Sequence, residues 1–191
     1  MTKEKKWFAV YTAPKAEKKA SIRLEQQGID HYLPVQKRLK QWSDRKKWVE
    51  EPLFRSYLFV HISEEHYFSV LNTHGLVKFI SFGGTAASIP DFQIETIRRL
   101  LMESTEIEIT QESYAPGTPV EVIAGPLMGT LGELISFRGE KRIAVKIHTL
   151  DTSVLINIPE QFVVPLKDER KLALLDSLRT PKFAGRTREL G

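Results

Sequence analysis

The sequence predicts an α+β fold in two domains, because the residue pattern changes three times along the chain. In residues 1–104, strand-like and helix-like segments alternate, which is typical of helices packed on an antiparallel sheet. In residues 105–116 the hydrophobic periodicity gives way to Glu, Thr, Ser and Gln, which indicates an interdomain linker. Residues 117–167 carry only strand and turn signals, which predicts a small five-stranded all-β barrel. Residues 168–191 are charged, and we predict a mobile C-terminal tail.

The first half of the N-terminal domain reads as strand, helix and hairpin. Residues 7–11 predict a strand, and residues 16–27 predict a helix that stops at Gly28. The inward side chains of this helix are predicted to be Ala16, Ala20, Ile22 and Leu24. Residues 29–40 again resemble a strand, and the charged residues 43–47 predict the tip of a hairpin flanked by Trp42 and Trp48.

The second half of this domain contains a buried strand and two helices. Residues 53–62 are rich in aromatic and β-branched side chains, which is typical of a largely buried strand. A helix over residues 64–72 and a strand over residues 77–82 follow, and Gly83-Gly84 marks a turn. Pro90-Asp91 begins a further helix, whose apolar side chains recur at helical spacing.

The most informative stretch of the C-terminal domain is residues 117–132. Val120 and Val122 share one face of a short strand that starts after Gly117. Gly125-Pro126 then marks a tight turn. Gly129 and Gly132 stand where a chain bends sharply or where another backbone comes close. Strand patterns resume at residue 134 and in residues 143–147, 154–158 and 162–165.

Composition and charge narrow the function classes. Of the 191 residues, 41% are hydrophobic and 27% charged, as in soluble globular proteins. No apolar run approaches the roughly 18 residues of a membrane span, and we expect a cytoplasmic protein without membrane association. Residues 1–58 hold 14 Lys and Arg against 7 Asp and Glu, whereas residues 105–191 hold 11 against 12. This asymmetry favours a polyanion-facing N-terminal surface, with a solvated lysine-rich face as the alternative.

Nothing in the sequence indicates an enzyme. The five histidines are scattered, and none is paired with a carboxylate at the spacing of metal ligands. No cysteine is present, which excludes a thiolate zinc site and a cysteine nucleophile. No Walker-type Gly-Lys-Ser/Thr loop is present either. We therefore expect no catalytic residue, no metal and no cofactor.

Four segments, in order, resemble the NusG family of transcription elongation factors. Residues 7–11, followed by Glu17-Lys18-Lys19, are similar to the first strand and helix start of the NusG N-terminal domain. Residues 52–60 are similar to its central strand, with Arg55 where the family pattern has proline. Residues 79–90 resemble the turn segment that follows. Residues 117–132 resemble the KOW motif, through Gly117, Val120, Val122, Gly125, Pro126, Gly129 and Gly132. The resemblance implies an SH3-like barrel for the second domain.

The resemblance implies a polymerase-binding surface made of aromatic residues. In the family, an apolar concavity receives the clamp helices of the β′ subunit of bacterial RNA polymerase. Its counterparts here are Trp7, Phe8, Phe54 and Tyr57. Alternation along a strand places Phe54 on the opposite face from Tyr57, so both cannot be core, and these two are our preferred contacts. Plain core packing is the alternative for each aromatic residue.

The resemblance also implies that the first helix contacts the non-template DNA strand. Lys15, Lys18 and Lys19 occupy its opening turns, and Arg23 follows Lys19 on the same face. The full predicted set is Lys15, Lys18, Lys19, Arg23, Gln26 and Gln27, with Thr73 and His74 from a neighbouring loop. Lysine and arginine bind phosphates, and glutamine pairs with the edges of unstacked bases. A solvated helix face is the alternative.

The hairpin tip resembles that of specialised paralogues, the UpxY-like and RfaH-like antiterminators. It combines Trp42 with Arg45, Lys46 and Lys47, a set that suits single-stranded nucleic acid or upstream duplex. Cross-strand pairing of Trp42 with Trp48 is the alternative.

The expectation is therefore a monomeric antitermination factor that binds RNA polymerase and non-template DNA and suppresses pausing and termination. Its KOW domain is expected to recruit a partner, namely a small-subunit ribosomal protein, the termination factor Rho, or RNA. Two alternatives remain open: a housekeeping NusG acting genome-wide with Rho, and a ribosome-associated KOW protein that binds RNA.

Overall fold

The computed structural model of this chain describes residues 4–42, 45–103, 107–110, 117–137, 140–147, 150 and 152–179. The chain divides into two compact units, Met1–Thr105 and Glu106–Gly191. Among the described residues, no helix is long and apolar enough to cross a membrane.

The first unit is an α+β unit, as predicted. A short 3-10 turn, Glu64–His66, precedes its second helix. In chain order its elements are β1 (Lys6–Thr12), α1 (Glu17–Gln26), β2 (His31–Tyr32), β3 (Val35–Gln41), β4 (Lys46–Pro52), β5 (Tyr57–Ile62), α2 (Tyr67–Leu71), β6 (Leu76–Phe79), β7 (Ser81–Phe82), β8 (Thr85–Ala86), β9 (Ser88–Ile89) and α3 (Asp91–Glu103). The main sheet runs β2-β5-β1-β6, and β9 also pairs with β1. Strands β3 and β4 form a separate hairpin, and β7 and β8 a second, smaller one.

Strand β1 is the centre of the main sheet because both of its faces are apolar. It pairs antiparallel with β5 from Lys6 opposite Ile62 to Tyr11 opposite Tyr57. One face packs against α1 and α2. The core on that face is made of Phe8, Val10, Ala20, Leu24, Leu58, Val60, Ile62, Val70, Leu76 and Phe79. On the other face Trp7 and Phe59 are also buried.

Helix α1 confirms the predicted helix and its stop, with one correction. Gly28, which follows the helix, has φ +68°, the left-handed conformation that suits a glycine stop. Ala20 and Leu24 are fully buried as predicted, whereas Ile22 is 54% exposed. The inward assignment of Ile22 is therefore wrong. Two residues correspond to about 200° of helix rotation, so Ile22 lies opposite the buried Ala20–Leu24 line.

A turn interrupts the strand predicted over residues 53–62. The Tyr57 N–H donates to the Phe54 carbonyl, with N and O 3.3 Å apart, and Ser56 has φ +62°. The Ser56 N–H donates to Glu17 Oε1 of α1 at 2.7 Å, and Glu17 is buried. This charge-assisted bond fixes a left-handed serine at a turn position that glycine usually occupies. Strand β5 therefore begins at Tyr57, and Phe54 lies outside its alternation.

Within the residues described there, the second unit contains one antiparallel sheet, one α-helix and a 3-10 turn, Glu160–Phe162. Its elements are β10 (Ile107–Thr110), β11 (Thr118–Val122), β12 (Leu131–Phe137), β13 (Glu140–Ile147), β14 (Thr152–Ile156), β15 (Val163–Pro165) and α4 (Glu169–Arg179). The strand order is β10-β14-β13-β12-β11-β15. Strands β11 to β15 are the five that the sequence predicts.

Strand β10 corrects the predicted linker. Residues 107–110 pair with β14, from Ile107 opposite Ile156 to Thr110 opposite Ser153. Ile107 and Thr110 are buried, so the linker prediction is wrong for these residues. A strand of four residues is too short for its alternation to stand out from a polar surrounding. The other predicted linker residues, 105–106 and 111–116, lie outside the described residues.

Helix α4 corrects the predicted mobile tail. Asp168 Oδ1 accepts the N–H groups of Arg170 at 2.9 Å and Lys171 at 3.1 Å, which caps the first turn. Lys171 Nζ lies 2.6 Å from Glu121 Oε1 on β11, and Leu175 is buried. The tail prediction is therefore wrong for residues 169–179, and residues 180–191 lie outside the described residues.

Gly132→Ala is expected to destabilise the second unit by about 2 kcal/mol, because a Cβ there overpacks the sheet. It would lie 2.8 Å from the Ala144 carbonyl oxygen and 2.8 Å from Ile143 Cγ2. The three tryptophans, Trp7, Trp42 and Trp48, belong to the first unit. In urea unfolding of the full chain, we therefore expect the transition followed by circular dichroism to move to lower urea. The transition followed by tryptophan fluorescence, which reports on the first unit, should not move.

Gly129→Ala is the matched control for this substitution. Gly129 has φ +83°, and a Cβ there would meet nothing within 4 Å. It carries only the cost of a left-handed alanine, about 1 kcal/mol. A Gly129→Ala loss equal to that of Gly132→Ala would contradict the close approach at Gly132.

Candidate nucleic acid interface and aromatic face

Helix α1 presents cations on its solvent side. Lys15, Lys18 and Lys19 are exposed, and Lys15 precedes the helix with φ +62°. Ile22 and Gln26 continue the exposed line that Lys18 begins, since residues four apart share a helix face. The structure thus places Lys18, Lys19 and Gln26 on one solvent-facing helix, whereas Lys15 stands two residues before it, so the predicted place of Lys15 in the opening turn is wrong.

The loop over residues 72–75 is fixed to α1 by side-chain hydrogen bonds. Arg23 Nη1 donates to the His74 carbonyl at 2.9 Å. The Thr73 hydroxyl donates to Gln27 Oε1, with the oxygens 2.9 Å apart. Gly75 takes φ +100° beside Ala16, where an added Cβ would lie 3.3 Å from the alanine Cβ. Arg23, Gln27, Thr73 and His74 are therefore brought together from distant parts of the sequence, as predicted.

Thr73 differs from the prediction in one respect. Its side chain is 2% exposed, so its assignment as a direct DNA contact is wrong. The Thr73 hydroxyl instead donates to the amide oxygen of Gln27 and orients that side chain. Gln27 is exposed, and its NH2 group has two donor hydrogens. His74 is exposed at the tip of the same loop.

A cation and three aromatic rings stack on the face of the main sheet that carries Trp7 and Phe59. The Trp7 ring stacks on His61, with centroids 4.8 Å apart and planes 20° apart. Arg98 Cζ of α3 lies 5.5 Å from the Trp7 centroid and 4.9 Å from the Tyr32 centroid. Burial raises the pKa of Tyr32 to about 12, although Arg98 opposes the rise. The arrangement anchors α3 over this face of the sheet.

Three of the four predicted polymerase contacts are buried. Trp7, Phe8 and Phe54 have 7%, 4% and 3% of their surface exposed, so their assignment as exposed anchors is wrong. Phe8 belongs to the core under α1. The Phe54 ring packs edge-on against Phe59, with centroids 5.8 Å apart, on the face that also carries Tyr57. The predicted opposition of Phe54 and Tyr57 fails because the turn at Ser56 reverses the chain between them.

Tyr57 and Tyr11 are the partly exposed aromatic pair at the end of this face. Their rings meet edge to face, with centroids 5.4 Å apart, and they are opposite each other across β1 and β5. Burial raises the pKa of the Tyr57 hydroxyl, and the neighbouring Tyr11 raises it further. Tyr57 thus presents a partly buried ring with a polar edge. Tyr11 is a residue that the sequence prediction missed. The sequence could have indicated it, because Tyr11 follows Trp7 and the small Ala9 on the same face of one strand.

The hairpin of β3 and β4 separates the two tryptophans. Trp48 lies opposite Leu39, while the Trp42 N–H donates to the Arg45 carbonyl at 2.8 Å at the tip. The cross-strand pairing of Trp42 with Trp48 is therefore wrong. The rings are 56% and 65% exposed, respectively. Arg45, Lys46 and Lys47 are exposed as well, and residues 43–44 of the tip lie outside the described residues.

The KOW-like loop of the second unit matches its predicted backbone and exposes two apolar side chains. Val120 and Val122 are buried, and Gly125 and Gly129 have φ +78° and +83°. Pro126 is exposed between them, and the Cβ of an alanine at Gly117 would collide with the Leu134 carbonyl. Ile123 and Met128 lie in the loop over residues 123–130, between β11 and β12, and are 47% and 61% exposed. The sequence prediction missed both, because exposure of a loop residue leaves no periodic signal.

Among the described residues, no group of three or more His, Cys, Asp or Glu side chains could hold a metal ion. His148 lies outside them. His61 Nδ1 lies 3.0 Å from Asp30 Oδ2, and His31 Nε2 lies 2.7 Å from Ser21 Oγ. These histidines thus have structural partners.

Comparison with known proteins points to one family. Residues 5–98 match the family model described as "Transcription termination factor nusG". The NusG transcription termination/antitermination protein of Chlamydia pneumoniae is 24% identical over 163 residues, spanning 78% of this chain and 89% of that protein. That of Thermus thermophilus is 24% identical over 176 residues, spanning 81% and 96%. A solved structure of Thermotoga maritima NusG is similar in fold, with a TM-score of 0.53 at 22% identity, over 86% of this chain and 98% of that one.

Proposed function

We propose that this chain is a transcription antitermination factor of the NusG family that binds RNA polymerase and the exposed non-template DNA strand. Its relatives support a role in transcription termination or antitermination. The observation that carries the more specific proposal is the assembly of α1 with the loop over residues 72–75. Two hydrogen bonds hold this assembly together, Arg23 to His74 and Thr73 to Gln27.

The chemistry of this assembly suits an unpaired DNA strand. Lys18 and Lys19 supply exposed positive charge for phosphates. Gln26 and Gln27 supply amide groups that pair with the edges of bases, which a transcription bubble leaves accessible in its non-template strand. Gln27 is held in one orientation by Thr73, so less side-chain entropy is lost when it binds. The assembly therefore combines affinity from charge with a fixed reader of bases.

The polymerase contact is proposed at the Tyr11–Tyr57 pair. Helix-in-groove recognition needs partly exposed aromatic anchors. These two rings meet that need at the end of the main-sheet face that also carries Trp7. The partner is the pair of clamp helices of the β′ subunit. Binding the clamp-closed state of the polymerase better than the open state shifts the population toward elongation, without covalent chemistry.

The second unit is proposed to recruit a further protein through its exposed loop. Ile123 and Met128 are apolar, exposed and held by a turn of fixed backbone. A small-subunit ribosomal protein is the proposed partner, and Rho is the partner in the housekeeping alternative. The basic hairpin favours the specialised class of factor. Occupancy of a few operons in a genome-wide map supports that class, and occupancy of all transcribed genes supports the housekeeping one.

Lys19→Ala combined with Arg23→Ala tests the DNA contact. We expect weaker binding to a single-stranded oligonucleotide and a log–log salt slope that is shallower by about 1.4, since each lost phosphate contact on a single strand removes about 0.7. Fluorescence anisotropy at several salt concentrations measures both quantities. The urea midpoint of the variant shows whether the lost Arg23–His74 bond has loosened the loop.

Lys167→Ala combined with Arg170→Ala is the charge-matched control, because both side chains are exposed in the second unit. We expect this control to leave the salt slope within the error of the wild type. Equal losses in the two double variants would mean that only net charge matters, and the proposed site on α1 would then be wrong.

A further inference from the structure

The hairpin of β3 and β4 is separate from the main sheet of the first unit. Among the described residues its strands pair only with each other. Most of its side chains are exposed, including a tryptophan and a leucine. A two-stranded hairpin of this kind is only marginally stable in water. Its exposed apolar residues add nothing to a core, which suggests that they serve a ligand.

The register of the hairpin sorts its side chains onto two different faces. Residues directly opposite each other share a face, and so do residues two apart. One face, called here the tryptophan face, carries Val35, Lys37, Leu39, Gln41, Lys46, Trp48, Glu50 and Pro52. The other face carries Gln36, Arg38, Lys40, Lys47, Val49 and Glu51. On the second face Lys40 forms an ion pair with Glu51, which lowers the pKa of that carboxyl.

The tryptophan face combines a ring with two available cations. Trp48 is 65% exposed and Leu39, opposite it, is 49% exposed. Lys46 stands two residues before Trp48 on the same strand, about 7 Å along it. Lys37 lies diagonally across from Trp48 on the neighbouring strand. Among the described residues neither lysine makes an ion pair. An aromatic ring between cations is the arrangement that binds a stacked base and its flanking phosphates.

We propose that the tryptophan face binds single-stranded DNA, with one unpaired base stacked on Trp48 and its phosphates contacted by Lys46 and Lys37. This inference rests on the proposed function and adds a second contact to it. Two arguments favour this occupant over a protein. Residues 35–52 carry six Lys and Arg against three Asp and Glu, which suits a polyanion. One aromatic ring covers about 150–250 Å², whereas a stable protein interface needs about 800 Å² per partner.

Variants of Trp48 in the full chain test the stacked base. The probes are a dT12 oligonucleotide, a U12 RNA and a DNA duplex of 12 base pairs. Trp48→Leu keeps an apolar side chain and removes the ring, and Trp48→Phe keeps a ring. We expect Trp48→Leu to weaken binding of the single strand about tenfold and Trp48→Phe about two- to threefold, as is typical of loss or reduction of stacking. Duplex binding should not change.

Quenching of fluorescence assigns the effect to one ring. Trp7 is buried, so quenching by the oligonucleotide must come from Trp42 or Trp48. It should persist in Trp42→Phe and disappear in Trp48→Phe. Lys46→Ala should weaken binding more than Lys47→Ala, which removes the same charge from the opposite face. Tighter binding of U12 than of dT12, lost in Trp48→Leu, would assign the face to RNA and contradict the proposal.

Several outcomes would overturn the proposal. Wild-type affinity of Trp48→Leu for both single strands excludes the stacked base. If Trp48→Leu loses binding to the duplex as well as to the single strands, the hairpin is a duplex-binding element. If Trp48→Leu loses only binding to RNA polymerase, the tryptophan face is a protein-binding surface. The proposed function is tested separately by Lys19→Ala/Arg23→Ala. If that variant weakens single-strand binding while Trp48→Leu does not, the function stands and the hairpin inference fails.

Discussion

Replacing Phe54 by alanine is expected to destabilise the first unit by about 3–5 kcal/mol, the usual cost of a buried phenylalanine. Its ring is 3% exposed and packs edge-on against Phe59, which is fully buried. Removal of the ring loses the free energy of burying it and its aromatic contact with Phe59. It also leaves a cavity, which adds a further cost. The turn at Ser56 limits how far the surrounding chain can relax, since Glu17 holds its N–H.

Tryptophan fluorescence during urea unfolding measures this loss, because all three tryptophans belong to the first unit. Phe68→Ala is the matched control, since the same atoms are removed from a ring that is 80% exposed. We expect the control to change the stability by less than about 0.5 kcal/mol. Equal urea midpoints for the two variants would mean that the Phe54 ring is open to solvent, and Phe54 would again qualify as a polymerase contact.

The fate of Phe54 shows where prediction from local pattern ends. Alternation predicts side-chain direction only within one uninterrupted strand, and the left-handed Ser56 breaks the strand after Phe54. That turn is held by Glu17, which is 39 positions away in sequence. No local periodicity contains such a bond. Arg55 stands where the resembled family pattern has proline, and this departure does not indicate the geometry of the turn.

The elements with a strong local signal were predictable. Helix α1 ends beside a glycine with positive φ, and β1 and β5 carry continuous apolar runs that a central strand needs. Gly132 was predictable as a position of close backbone approach, and its Cβ would lie 2.8 Å from a carbonyl oxygen. In each case the residue type alone restricts the backbone or its burial.

The elements that were missed depend on partners far along the chain. Strand β10 has four residues and is defined by its pairing with β14. Helix α4 is short for a helix that must form alone, and its docking relies on Lys171 reaching Glu121. The burial of Thr73 likewise follows from its bond to Gln27, 46 positions away. A sequence pattern shows which residues are able to form such contacts and not which of them meet.

Tyr57→Ala is expected to weaken binding to bacterial RNA polymerase core enzyme by at least about 30-fold, the effect of losing a hot spot of about 2 kcal/mol. Unlike Phe54, Tyr57 is partly exposed, so its ring is available to a partner. Its pairing with Tyr11 fixes the ring before binding, which reduces the entropy lost on association.

Tyr57→Phe is the matched control for this substitution, since it keeps the ring and removes only the hydroxyl. We expect Tyr57→Phe to retain most of the affinity if apolar packing on the clamp helices dominates, as helix-in-groove recognition requires. Both variants should bind single-stranded DNA like the wild type, because α1 and the loop over residues 72–75 are unchanged. Wild-type polymerase affinity of Tyr57→Ala, with an unchanged urea midpoint, would contradict the proposed contact. A loss of DNA binding together with polymerase binding would instead show that Tyr57 supports the fold, since one misfolded unit carries both surfaces.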